Sequence, residues 1–218
     1  VNIEKLLKKK HKDSDEIWVN EFNEDTACDF RDAVLDAAHD DPMRPIVIYI
    51  DSYGGQVDAL AMMIETMDEI PNPFITVAVG KAMSCGAALL SHGDIRLCGK
   101  HSRVMIHEVS GGTAGDVHDV SADAEEIKRL NRYFMGLLAK NCGIKGGYDA
   151  LRKIIKNQDG RDNYMNAEQA LKFGIVDGIG MPRVEKATVY QVNVSPEKTK
   201  LVKVNKPGKH KKKSDTKR

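Results

Sequence analysis

Apolar residues arrive in two rhythms along this chain, and the switch between them marks its elements. "RPIVIYID" (44–51) and "FITVAVG" (74–80) are continuous apolar runs rich in β-branched residues, which predicts strands covered on both faces. Between them "QVDALAMMIETMDEI" (56–70) keeps helical spacing until Pro71 and Pro73 stop it. Upstream, "EIWVNEF" (16–22) reads as a strand and "EDTACDFRDAVLDAAHDD" (24–41), acidic in its first turn, as a helix. "SCGAALLSHG" (84–93) is short and nearly all apolar, so it is expected to be a buried helix.

The pattern then repeats. "DIRLCG" (94–99) and "SRVMIHE" (102–108) predict strands, and "GGTAGD" (111–116) a flexible loop. A long helix follows over 116–141, with Val120, Ile127, Leu130, Phe134, Leu137 and Leu138 on its packing side, and another over 147–157. "GRDNYMN" (160–166) reads as a turn. "NAEQALKFG" (166–174) predicts a helix capped by Asn166 and closed by Gly174, before a short strand in "IVDGI" (175–179). Strands alternating with helices imply an α/β fold with mainly parallel pairing. Period-two alternation in "ATVYQVNV" and "TKLVKV" predicts a terminal β-hairpin within 184–206, and the basic stretch 207–218 a disordered tail.

Charge changes this picture little. Thirty-three basic residues face 32 acidic ones, so no global signature of nucleic acid or membrane exists. The N-terminal segment 1–16 is charged and lacks the apolar core of a signal peptide, and no run approaches a membrane span of about 18 residues. Cys28, Cys85, Cys98 and Cys142 are too scattered for a zinc site or a disulfide framework. His92 and His101 near Cys98 lack the spacing of metal ligands. The expectation is a cytoplasmic protein with reduced thiols and no metal.

Four places carry candidate chemistry. "DSYGG" (51–55) ends a buried strand in two glycines, where backbone amides can face a ligand oxygen or where the chain simply turns. Ser84 stands at a strand-to-helix junction, either as a nucleophile aided by the helix N-terminus or as that helix's cap. Cys85 is a rival nucleophile or a small buried hydrophobe. His107 ends an apolar strand at the edge where α/β active sites sit, as a base or as a satisfied core histidine. Asp162, in a polar turn, is an orienting carboxylate or a surface partner of Arg161.

In chain order, "DSYGG", "GKAMSCGAALLSHG", "SRVMIHEVSGGTAGD" and "GRDNYMNAEQALKFGIVDGI" resemble the motifs of the ClpP family, the proteolytic subunits of Clp proteases, over residues 17–183. The resemblance implies a ClpP/crotonase-like spiral of β-β-α units with a protruding helical handle built from 110–115 and the long helix. It implies Ser84 as nucleophile, His107 as general base, Asp162 as orienting acid, and the amides of Gly55 and Cys85 as oxyanion hole. It further implies stacked heptameric rings, a tetradecamer of this chain enclosing the active sites. An ATP-driven Clp-family unfoldase would feed unfolded polypeptide to them, so that ATP serves the partner and this chain needs no cofactor. Tyr53 stands where the family usually has proline, and Glu108-Val109 where it has Gln-Pro. Rival readings are a phage capsid-maturation (prohead) protease on the same fold, an inactive ring subunit, and a crotonase-like acyl-CoA enzyme; the last lacks a Ser-His-Asp set.

Overall fold

The computed structural model describes residues 15–156 and 162–184. The predicted terminal hairpin and basic tail lie outside these residues. The elements, in chain order, are β1 (Asp15–Val19), α1 (Glu24–Asp40), β2 (Ile46–Ser52), α2 (Val57–Glu69), β3 (Phe74–Met83), α3 (Cys85–Ser91), β4 (Ile95–Cys98), β5 (Arg103–Ile106), α4 (Val117–Asn141), α5 (Gly147–Lys156), β6 (Asn163–Asn166), α6 (Ala167–Phe173) and β7 (Gly178–Ile179).

The strands form one seven-stranded sheet in the order β1-β2-β3-β4-β7, with β5 joined to β3 and β6 to β5. Every pairing is parallel except β5 with β6. β3 is the pivot. It runs three residues beyond the predicted strand, pairing with β4 through Ile75–Ala78 and with β5 through Lys81–Met83. The sheet therefore forks at Gly80, and the fork delivers Ser84 to the sheet's end.

β2 shows how the sheet divides its faces. Ile46, Ile48 and Ile50 are fully buried in the main core with Leu60, Met63, Leu89 and Leu90. Each such side chain contributes about 1.5–3 kcal/mol when removed from water. The alternate residues face the other side, where Val47, Ile75 and Val77 form a smaller cluster with the partly buried Tyr49, Val79 and Leu97. That face is thus only partly covered, which corrects the expectation of strands buried on both sides: Tyr49 and Asp51 remain half-exposed.

α3 is buried along its whole length, as its composition predicts. α4 is not. Only Asn131, Phe134, Met135, Leu138 and Ala139 are buried, all in its C-terminal half, while its first turns stand away from the core. Val120, predicted on the packing side, is exposed there. This is the protruding helical handle. At the other end of the fold, Asn166 caps α6 reciprocally with Gln169, and Gly174 closes it in the left-handed conformation.

Candidate active site

Three elements end at one cleft. β3 stops at Met83 and the chain turns into α3 through Ser84, whose φ is 55° and ψ −118°. Among the described residues Ser84 alone has positive φ without being glycine. Such a conformation costs about 1–3 kcal/mol and persists only where surrounding structure enforces it. Here the enforcement is visible: the Ser84 N–H donates to the Met105 carbonyl (2.9 Å), and the Ser84 carbonyl accepts from the Ala87 and Ala88 amides. The side chain makes no capping bond. Its hydroxyl instead lies 2.7 Å from His107 Nε2.

His107 follows the last residue of β5. Parallel register sets Met83 against Met105, which brings the serine turn alongside the end of β5. The third member arrives by a different route. β6 pairs antiparallel with β5, and the last matched pair is Ile106 with Asn163. One step further along that ladder, His107 faces Asp162. The predicted turn at 160–166 is therefore corrected: its second half is a strand, and that strand sets the carboxylate. His107 Nδ1 and Asp162 Oδ1 stand 3.8 Å apart, beyond hydrogen-bond length, and Asp162 is half open to solvent. Tyr164 Oη lies 3.4 Å from the other carboxylate oxygen.

The glycine pair of "DSYGG" closes the cleft opposite. Gly55 has φ 156° and forms an isolated bridge with Phe22; a Cβ on Gly55 would sit 2.3 Å from the Phe22 carbonyl oxygen. No other residue fits. In this bridge the Gln56 amide binds Phe22 (2.8 Å), which leaves the Gly55 N–H without an acceptor among the described residues. The Cys85 N–H, first in α3, likewise has no intrahelical partner. Gly55, Cys85, Ser84 and His107 line one cleft, whose floor is apolar: Val57, Leu60, Ile106, Phe134, Met135 and Leu138.

Cys85 is buried, and its thiol donates to the Gly55 carbonyl at 3.3 Å. Burial pushes this thiol up, against smaller opposing effects of its hydrogen bonds, so it stays protonated. Glu108 is engaged by Arg152 and Asn131. Burial works to raise its carboxyl, but hydrogen bonds from Arg152 (2.7 Å) and Asn131, with the charges of Arg152 and Lys156, hold it below its ordinary value. Asn131 was missed by sequence reasoning. Buried, it accepts the Val109 amide (2.9 Å) and so ties the loop after His107 to α4. The signal was an amide inside the apolar stripe of a helix.

Among the described residues no three metal-ligating side chains converge, and no helix is long and apolar enough to cross a membrane. The arrangement can activate a hydroxyl and receive an oxyanion, which is the working part of a serine hydrolase. The model of the Clp protease family matches residues 4–183, and the chain belongs to that family, whose members are serine peptidases. It is 38% identical over 142 residues to "ATP-dependent Clp protease proteolytic subunit 3" of Rhodococcus jostii (strain RHA1), a stretch covering 64% of this chain and 67% of that protein.

Proposed function

We propose that the chain hydrolyses peptide bonds of unfolded polypeptides with Ser84 as nucleophile, His107 as base and Asp162 as orienting acid. The observation that carries this reading is the 2.7 Å approach of His107 Nε2 to a serine hydroxyl held in strained backbone. His107 takes the Ser84 proton as Oγ bonds to the substrate carbonyl carbon. The oxyanion that forms is received by the Gly55 and Cys85 amides, each worth about 3 kcal/mol in such sites. The imidazolium then gives its proton to the amine as the C–N bond breaks, and a water activated by His107 releases the acyl group. Asp162 holds Nδ1 protonated throughout, which requires the 3.8 Å gap to shorten by about 1 Å when substrate excludes water.

The apolar floor beneath Ser84 suits an apolar side chain before the scissile bond. Assembly into stacked rings closes the sites into a chamber, and an ATP-driven Clp-family unfoldase supplies the substrate. Cleavage of a fluorogenic peptide and of unfolded casein by wild type and Ser84→Ala tests the core of this reading. Loss of both activities in the variant is expected; undiminished cleavage would overturn the assignment of Ser84. Peptide cleavage without protein cleavage, in the absence of an unfoldase, is the expected mark of the chamber.

A further inference from the structure

The loop Ser52–Gly55 presents one of the two oxyanion amides, yet it holds two glycines with positive φ and no proline to stiffen it. A loop of that composition is intrinsically loose, because glycine restricts its own backbone least. What steadies it lies on the neighbouring strand. Lys81 Nζ bonds Asp51 Oδ1 at 2.7 Å, and the same ammonium sits 4.4 Å from the centroid of the Tyr53 ring. Asp51 and Tyr53 flank Ser52 at the start of the loop. Lys81 stands three residues before Ser84.

The cluster is built rather than incidental. Tyr53 is 73% exposed, so its ring is not there to fill the core. Lys81, by contrast, keeps only a fifth of its side chain in solvent, enclosed by its two partners. Space for the carboxylate depends on Gly80: a Cβ there would stand 3.0 Å from Asp51 Oδ1. Below the cluster, Ser52 Oγ accepts the Gly54 amide (3.0 Å), and Ser102 Oγ accepts the Gly80 amide (2.9 Å), so both strands are fixed where the clamp joins them.

We propose that Asp51, Lys81 and Tyr53 form an ionic and aromatic clamp that positions the Gly55 amide relative to Ser84. The inference rests on the catalytic reading above and deepens it. Lys81 is a positioning residue: it touches neither substrate nor reacting atoms, but it locks the end of β2, which leads into Gly55, to the end of β3, which leads into Ser84. Tyr53 substitutes a side-chain contact for the backbone restraint that proline would supply. Since an oxyanion donor matters most in the transition state, loosening it lowers kcat and leaves KM nearly unchanged.

The test measures kcat and KM for a fluorogenic peptide, with the affinity for a peptidyl boronic acid that forms a tetrahedral adduct at the serine. Lys81→Met and Tyr53→Ala are each expected to lower kcat and boronate affinity about tenfold, short of the roughly 10²–10³ for outright loss of a donor. KM should stay within about twofold. The double variant should fall little further, because both changes open one clamp. Tyr53→Phe, which keeps the ring, and Lys81→Arg, which keeps the cation, should restore most of the loss. Since Tyr53 lies at the surface, Tyr53→Ala carries the test alone if Lys81→Met does not fold. Wild-type kcat in the single variants, a change confined to KM, or fully additive losses would each overturn the clamp. If Ser84→Ala is inactive while the clamp variants turn over normally, only the clamp fails; if Ser84→Ala stays active, the catalytic reading itself fails.

Discussion

The Cys85 thiol donates to the Gly55 carbonyl across 3.3 Å, joining by a side chain two residues that line the same cleft. The cysteine's position beside the serine invites a nucleophilic reading, and its chemistry argues against one. A thiol raised by burial and committed to a carbonyl carries little thiolate. The mechanism proposed above uses its backbone N–H and not its sulfur.

Cys85→Ala should therefore retain most peptidase activity, with a loss in kcat below about threefold, since a sulfur hydrogen bond is weak and the amide survives. The check is steady-state hydrolysis alongside a thermal melt. Loss of activity comparable to Ser84→Ala, in a variant that melts normally, would assign the chemistry to the thiol.

Asp162 was the residue least legible in the sequence as a partner of His107, and the reason is physical. "NYMN" is four residues long, too short for period-two alternation to stand out, although Asn163 and Met165 are buried and Tyr164 and Asn166 exposed. Its strand character comes from pairing with β5, a contact between residues distant in the chain (Arg103 with Asn166, Ile106 with Asn163) that no local pattern records. The long periodic elements were readable because their burial is one-sided or complete: α2, β2 and the all-buried α3 fall close to their predicted bounds. The extension of β3 past Gly80 was not, since Lys81 breaks the apolar run and only pairing with β5 explains its extended backbone. The family motifs named Ser84, His107 and Asp162. They gave no hint that Tyr53 would find Lys81, because that contact links two strands through side chains.

Asp162→Asn should lower kcat by about 10²-fold or more with little change in KM, since an amide cannot hold the imidazole in the tautomer that accepts the serine proton. Steady-state kinetics on the fluorogenic peptide measure it. An effect below about threefold would mean that the 3.8 Å pair never closes and that His107 works without a carboxylate.

Gly55→Ala should damage both stability and catalysis. The new Cβ would meet the Phe22 carbonyl at 2.3 Å, so the bridge between Phe22 and Gly55 must open. A destabilisation of about 2 kcal/mol or more is expected from the clash and the positive φ together, read from the urea midpoint. Retention of wild-type stability would show that the loop can yield without cost.

The apolar floor makes a prediction about substrates. Peptides with leucine or methionine before the scissile bond should exceed their aspartate counterparts by at least about 10²-fold in kcat/KM, because a carboxylate entering among Leu60, Phe134 and Leu138 is desolvated without a partner. Leu138→Arg should narrow this gap by supplying a cation. Equal rates across the series would place substrate side chains elsewhere than in this pocket.

The last prediction concerns acid stability and lies away from the cleft. Arg96 binds Asp177 through Nε (2.9 Å) and Nη2, and reaches the Asn141 and Gly174 carbonyls through Nη1 (2.8 and 3.1 Å). One guanidinium thus fastens β4 to the ends of α4 and α6 and to the approach to β7. Hydrogen bonds from the Arg96 side chain, opposed by burial and aided by its amide and its charge, hold the Asp177 carboxyl below its ordinary 3.8. A carboxyl lowered by folding contributes stability above its unfolded value and loses that contribution as pH falls through its folded one. The unfolding free energy should therefore decline from about pH 5 downward and continue to fall below pH 4, with Glu108, also lowered, acting in the same direction. Asp177 is partly exposed, so solvent screening limits its ionic share to about 1 kcal/mol or less. Asp177→Asn should cost about 1–2 kcal/mol at pH 7, including the partner lost by a half-buried guanidinium, and should flatten the acid limb of the curve. Urea titrations of both proteins between pH 3 and 7 measure this. An acid limb of undiminished slope in Asp177→Asn would assign the acid sensitivity to other carboxylates and leave Arg96 held by its two carbonyls alone.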